Sequence, residues 1–371
     1  YLGAGKYQEM KTSVYTFLIT FAVLSSLLAI FGFFSNPRVL AVLKTPQNIY
    51  QDAVLYLQLY FLGLPFMFMY NVLAADFNAM GKSGIPLGLL IFSSLLNIFL
   101  DLLMVVRFHM GVAGVAVATV IAQGVSAVIS FFILIFLLRA YPTQERPGLF
   151  RISMLIHGTR IAIPSIIQQS IDSIGMLLTQ SSVNQFGSSA LAGYSAGMRL
   201  ESIAIVPMIG TGNAMSTFTA QNLGAGQPER VKQGYRISYG IIAGFAVFLF
   251  LVCEFFYGAI LSVFLDAGSS SVAYETGTSY LRFIGCFFCR IGFKATTDGV
   301  LRGSGDGGGY MVANLVNLGI RVFVARFFSP LYGIQFVWYA VPLGWAVNFL
   351  ISYIWYRTGH WQKKSLIQKT K

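Results

Sequence analysis

Two distant stretches of this chain read almost alike: YLGAGKYQEM at residues 1–10 and NLGAGQPERV at residues 222–231. The correspondence continues downstream, where LYFLGLPF at 59–66 aligns with LRFIGCFF at 281–288. Self-similarity over such a length is the mark of an internal duplication. We therefore interpret the chain as two copies of one structural unit.

Polar positions take part in the repeat. Three pairs correspond when single-residue gaps are allowed: Asp76 with Asp298, Asn97 with Asn317, and Asp101 with Arg321. In the second copy, two apolar runs between residue 156 and residue 222 precede the shared phrase, whereas nothing precedes it in the first copy. We expect the first copy to lack two helices, and the intact protein to have six helices in each half.

The composition is that of a membrane protein. Hydrophobic residues make up 56% of the chain and charged residues only 10%, with a mean hydropathy of +0.69. So few charges do not cover the surface of a soluble protein of this size. The net charge of +12 does not indicate nucleic acid, because the Lys and Arg residues lie in short stretches between apolar runs. We predict an all-α polytopic membrane protein.

Ten segments are long and apolar enough to cross a hydrocarbon core of about 30 Å. They are 12–34, 52–75, 85–106, 111–138, 156–182, 190–220, 236–265, 276–300, 309–328 and 333–356.

Basic residues orient these spans. Alternate connections and the tail are rich in them: Lys6, Lys11, Lys82, Arg139, Arg146, Arg151, Arg230, Lys232, Arg236, Arg302, Lys363, Lys364, Lys369 and Lys371. The opposite connections carry only Arg38, Lys44, Arg107 and Arg326. The positive-inside rule places the richer set, with both chain ends, in the cytoplasm.

Both copies then begin in cytoplasmic loops and share one topology, which predicts two bundles related by an axis along the membrane normal. The predicted organisation is an N-terminal lobe at 1–140, a cytoplasmic linker at 141–155, a C-terminal lobe at 156–358 and a cytoplasmic tail at 359–371.

Four motifs, in order, carry a family resemblance: NIFLD at 97–101, GVAGVAVATV at 111–120, AQNLGAG at 220–226 with Arg230 after it, and GVLRGSGD at 299–306. With them the chain resembles the multidrug and toxic compound extrusion (MATE) transporters, in the bacterial branch similar to the DNA-damage-inducible F proteins. The resemblance implies H+ or Na+ antiport of cationic or amphipathic compounds across a bacterial inner membrane. It further implies a monomer with no cofactor and no enzymatic activity.

Asp101 is the leading candidate for an ion site, since an ionisable group within a span is costly and usually functional. Asn97 lies one helical turn before it, and Thr119 on the next span offers a third oxygen. Such oxygens suit Na+ or a proton-binding carboxyl group. The family resemblance assigns the same three positions to the cation site of the N-terminal lobe, with no other metal site. The alternative is a solvated Asp101 at the outer end of its span.

Asp172 is a second intramembrane acid, with Gln168 one turn before it and Gln169 beside it. These residues and Met176 are candidates for the wall of a substrate cavity, or Asp172 has a packing role only. In the family's Na+-coupled branch an acid stands eight positions after the proline that Pro164 matches, as Asp172 does. A second acid of that branch falls on Ile291 here, which weakens the prediction of a Na+ site in the C-terminal lobe.

Asp76 and Asp298 lie near predicted cytoplasmic helix ends, close to Lys82 and Arg302. One interpretation is an inner gate held closed by ion pairs of Asp76 with Lys82 and of Asp298 with Arg302. The simpler interpretation is that these are solvated charges at helix ends.

Arg290 and Lys294 lie four residues apart inside a span, where two positive charges need an acidic partner. Asp172 or Glu254 is a conceivable partner. The alternative is that both side chains extend toward the membrane–water interface. With Arg321 they support an alternative function, a lipid-linked oligosaccharide flippase. A membrane transferase would require an acid/base or metal cluster that the sequence does not contain.

Overall fold

The computed structural model describes residues 1–42, 45–265 and 270–363, which form helices and no strand. Lys44 and the predicted tail from residue 364 onward lie outside these ranges. The first four helices are α1 (Tyr7–Val42), α2 (Gln47–Ala79), α3 (Gly84–Leu102) and α4 (Gly111–Arg139). The remainder are α5 (Ile152–Asn184), α6 (Ser188–Ala204), α7 (Val206–Gly224), α8 (Pro228–Phe264), α9 (Ser271–Gly285), α10 (Phe288–Gly303), α11 (Gly307–Tyr332), α12 (Gln335–Arg357) and the short α13 (His360–Lys363).

Eight helices of the described residues are long and apolar enough to cross a membrane. They expose large apolar side chains, among them Phe34 at 74% and Phe136 at 73%, as expected for surfaces that face lipid. The prediction of an all-α polytopic membrane protein is confirmed.

Two of the ten predicted spans are not continuous helices. The segment 190–220 is divided into α6 and α7 at Ile205, and the segment 276–300 into α9 and α10. Pro207 stands in the first turn of α7. Because proline has no N–H to donate to the preceding turn, it is tolerated where a helix begins and interrupts one that continues. Hydropathy alone does not show where either predicted span is divided into two helices.

The chain divides into two compact units, residues 1–157 and 158–371. In the first unit, α2 packs closely on α4: a Cβ on Gly63 would lie 2.5 Å from Cγ2 of Val120. The segment before α5 is attached to α1, because Gln8 donates to the carbonyl of Arg146 at 3.1 Å and the Arg151 amide donates to Thr16 Oγ1 at 3.1 Å.

The core of the second unit is aromatic. Its largest fully buried side chains include Trp338, Tyr194, Tyr280 and Phe288. Tyr280 lies edge-on to both Tyr194 and Trp338, with ring centroids 5.1 and 5.8 Å apart. Such pairs stabilise a core beyond the area that they bury.

Glycines bring the backbones of α7 and α10 together. A Cβ on Gly299 would lie 2.3 Å from the carbonyl oxygen of Gly212, and one on Gly303 would lie 2.2 Å from that of Ser216. Close approach of this kind is how small residues pack helices where lipid supplies no hydrophobic driving force. These contacts fix the helix that carries Asp298 against its neighbour.

We predict that Gly299→Ala lowers the melting temperature of the detergent-solubilised protein by about 2 °C or more, because a methyl group meets backbone that has to move as a whole. The control is Gly210→Ala on α7, where a Cβ meets nothing within 4 Å. Equal melting temperatures for the two variants would contradict the helix contact described here.

Candidate functional site

Polar side chains of α3 face polar side chains of α4 in the first unit. On α3, Ser93 donates to the carbonyl of Ala122 at 3.4 Å, and one turn later Asn97 Nδ2 donates to Thr119 Oγ1, also at 3.4 Å. Two of the three residues predicted for the cation site are therefore in contact.

Asp101 continues the same face of α3, one turn beyond Asn97. Its side chain is half-buried, and its Oδ1 is enclosed, with no hydrogen-bond partner among the described residues. Directly after it, the helix widens into a π turn at Leu103–Arg107, where the Phe108 amide donates to the carbonyl of Leu103 at 3.1 Å. Turns of this type occur frequently at functional sites. An enclosed, unpartnered carboxylate oxygen suits binding of a proton or a cation.

Gln123 lies one turn after Thr119 on α4, and the sequence analysis missed it. Its Oε1 is also enclosed and without a partner in the described part of the chain, as are the hydroxyl groups of Ser126 and Ser130 further along α4. The spacing of Thr119 and Gln123 puts both side chains on one helix face, so the sequence contained the signal. Gln123 lies at the level of Ser93, on the far side of the Asn97–Thr119 contact from Asp101. Asp101, Asn97 and Thr119 supply carboxylate, amide and hydroxyl oxygens, which hard cations prefer.

The predicted gate residues do not pair as expected in this structure. Asp298 is 8% exposed and pairs with Lys294 rather than with Arg302. Arg302 instead donates to Asn213 Oδ1 at 2.7 Å and to Ser216 Oγ at 3.4 Å. A solvated charge at a helix end is therefore the wrong description of Asp298.

Asp76, the repeat counterpart of Asp298, has an enclosed Oδ2 with no hydrogen-bond partner among the described residues. Lys82 is exposed, and none of the ion pairs in the described ranges joins it to Asp76. A role for these residues in a gate stays a prediction.

A closed polar network surrounds Asp298 in the second unit. Lys294 Nζ lies 3.5 Å from Asp298 Oδ2, Ser352 donates to Oδ1 at 2.6 Å and Asn314 Nδ2 donates to Oδ2 at 3.4 Å. Asn348 Nδ2 donates in turn to Asn314 Oδ1 at 2.9 Å. The network spans α10, α11 and α12.

The partners suggested for Lys294 by sequence were wrong. Glu254 pairs with Arg282, and the acid beside Lys294 is Asp298, one turn further along its own helix. Arg290, the other cation of this span, lies over the ring of Phe287 at 4.6 Å.

The predicted cavity residues lie along α5. Gly175 packs against α11, since a Cβ there would lie 2.4 Å from Leu318 Cδ1. Asp172 and Gln168 are half-buried and precede Gly175 by three and seven residues, which places them on the same face. Gln169 is exposed, as is Met176 at 48%.

Glu201 on α6 is a further acid that the sequence analysis overlooked, although it lies within a predicted span. The hydroxyl of Tyr280 donates to Glu201 Oε2, and the guanidinium group of Arg321 is within electrostatic reach. Arg321 Nε is itself enclosed and without a hydrogen-bond partner among the described residues. Glu201 is therefore an intramembrane acid that is held by a buried tyrosine and lies near a positive charge.

Known proteins resemble this chain in sequence. The MatE family model matches residues 1–103 and 164–327. The chain is 29% identical over 375 residues to the probable multidrug resistance protein YpnP of Bacillus subtilis, covering 98% of this chain and 81% of YpnP. It is 25% identical over 273 residues to the FAD transporter of Shewanella oneidensis, covering 71% of this chain and 59% of that protein.

Solved structures share the fold. A mutant of the Vibrio cholerae MATE transporter VcmN superposes with a TM-score of 0.87 at 19% identity, covering 96% of this chain and 81% of VcmN. A MOP superfamily transporter from Pyrococcus furiosus superposes with a TM-score of 0.83 at 20% identity, covering 100% of this chain and 84% of that one.

We predict that Asn348→Leu destabilises the second unit by about 1–3 kcal/mol, because Asn314 Oδ1 loses its buried donor. The measurement is the melting temperature in detergent, with Asn71→Leu as control. Asn71 is exposed and donates only to Met67 of its own helix. Equal loss in both variants would contradict the importance of the network.

Proposed function

Because the chain belongs to the MatE family, we propose that it is a secondary active transporter that exports cationic or amphipathic organic compounds in exchange for H+ or Na+. The names of its relatives support export: several are multidrug resistance or multidrug export proteins. The proposed location is the bacterial plasma membrane, with both chain ends in the cytoplasm, as the distribution of basic residues indicates.

The enclosed oxygen of Asp101 is the observation that carries this proposal. An unpaired carboxylate inside a membrane helix is costly, and natural membrane proteins retain such groups at ion and substrate pathways. The Asn97 and Thr119 side chains meet 3.4 Å apart on α3 and α4, one helical turn from Asp101. We assign the coupling ion to Asp101, Asn97 and Thr119.

Ion binding would be coupled to export through conformational preference. If the ion binds one state of the transporter better than the other, it shifts the protein toward that state, and cargo that prefers the opposite state is released. Asp101 lies beside the π turn at Leu103–Arg107, where the regular α-helical hydrogen bonding is interrupted. A change of charge at Asp101 would therefore bend or shift the helix at this point. We favour H+ as the coupling ion, because the Asp101 carboxylate takes up a proton on its own, whereas Na+ also needs the Asn97 and Thr119 oxygens, and those two side chains contact each other rather than Asp101.

The cargo-binding region that we propose includes Asp172 and Gln168 on the half-buried face of α5, with Gln169 and Met176 beside them. Glu201, with Tyr280 as its hydrogen-bond donor, adds a second acidic position. Acids of this kind favour a cationic cargo over an anionic one.

An anionic cargo is the alternative, and Arg321 is the observation that favours it, since its Nε has no hydrogen-bond partner among the described residues. The argument for a lipid-linked oligosaccharide flippase is weakened at Lys294, because that ammonium group is paired with Asp298.

We predict that Asp101→Asn abolishes ion-driven efflux of a fluorescent organic cation from proteoliposomes, because the neutral amide neither takes up a proton nor balances Na+. Separate pH and Na+ gradients identify the ion. Asp52→Asn, an exposed acid at the start of α2, is the control and should transport normally. Unchanged efflux by Asp101→Asn would overturn the assignment.

We predict that Thr119→Val keeps the transport rate at saturating ion but raises the ion concentration for half-maximal rate, because the hydroxyl group that meets Asn97 is lost. The expected change is about 5-fold or more, which corresponds to the loss of one polar contact of about 1 kcal/mol. Gln51→Leu, at an exposed position of α2, serves as the comparison. If both variants reach half-maximal rate at the same ion concentration, the prediction is wrong.

A further inference from the structure

Lys294 carries an ammonium group that is paired with a buried carboxylate. Its Nζ lies 3.5 Å from Asp298 Oδ2, and the two side chains are 13% and 11% exposed. They stand four residues apart on α10, the arrangement in which oppositely charged side chains meet on a helix.

The other polar groups around Asp298 come from neighbouring helices. Ser352 on α12 donates to Asp298 Oδ1 at 2.6 Å, and Asn314 on α11 donates to Oδ2 at 3.4 Å. Asn348 contributes a further amide beside Asn314 and an oxygen 3.5 Å from Ser352 Oγ. Without the ammonium group, the Asp298 carboxylate would stay buried beside its Ser352 and Asn314 donors but would lack a positive partner. Carboxylate, hydroxyl and amide oxygens are the ligands that a small hard cation takes.

The first unit provides an internal comparison. The offset of 222 residues that places Asp298 on Asp76 places Lys294 on Val72. Asp76 Oδ2 is enclosed without a partner among the described residues. The same carboxylate position therefore has a built-in positive charge in one half of the chain and none in the other.

We propose that Lys294 is a tethered cation: its ammonium group supplies the positive charge beside Asp298, next to the network of Asn314, Asn348 and Ser352, and a free monovalent cation such as Na+ binds there once the ammonium group is removed. The native second unit therefore contributes no exchangeable ion at this position. The proposal goes beyond the proposed function, and it is tested by ion binding rather than by transport.

The experiment compares melting temperatures in sodium chloride and choline chloride at equal ionic strength. Asp101→Asn is the starting protein, so that a site at Asp101 does not contribute. Adding Lys294→Gln should create a Na+-dependent rise of about 2 °C or more, because an ion that binds only the folded state stabilises it. The starting protein should show no such rise. Radioactive sodium should likewise bind to the variant with Lys294→Gln and not to the starting protein.

Two further variants test whether the Na+ response depends on Asp298 and whether it is specific to the loss of Lys294. Adding Asp298→Asn to Lys294→Gln should remove the Na+ response. Lys232→Gln, which removes an exposed ammonium group 2.7 Å from Glu229, should not create one. The proposal is overturned if Lys294→Gln shows no Na+ response, or if the response survives Asp298→Asn. Failure to recover Lys294→Gln in either salt also overturns it, since a site that takes Na+ supports folding in the sodium buffer.

Discussion

A carboxylate within a membrane-spanning bundle has to be neutralised by a proton, by a bound cation or by a neighbouring positive side chain. This constraint organises the polar chemistry of the molecule. In the first unit, Asp76 and Asp101 each keep an enclosed oxygen without a hydrogen-bond partner among the described residues. In the second unit, Asp298 is neutralised by Lys294 and stabilised by donors from Asn314 and Ser352.

The two halves of the repeat have therefore diverged in charge. The position of Asp101 in the first half corresponds to Arg321 in the second, and the position of Val72 corresponds to Lys294. Both changes add positive charge to the second unit. This difference in charge supports our proposal that the exchangeable ion site lies in the first unit.

Sequence patterns predicted the membrane class, because hydropathy is a local property. They also placed Thr119 on the span that faces Asn97, and these two side chains are in contact. The patterns missed the interruption of helices at Ile205 and the hydrogen bond from Tyr280 to Glu201. The second contact joins residues 79 positions apart, so it depends on how α6 and α9 pack. Lys294 and Asp298 were both noticed, yet their helical spacing was not used to pair them.

The stoichiometry of ion release on cargo binding tests the central claim most directly, with purified protein, a fluorescent organic cation and a pH indicator or sodium electrode. The account predicts release of one ion per chain, retained when Lys294→Gln and Asp298→Asn are combined and lost in Asp101→Asn. Release that persists without the Asp101 carboxylate, or that disappears without the Lys294–Asp298 pair, would contradict it.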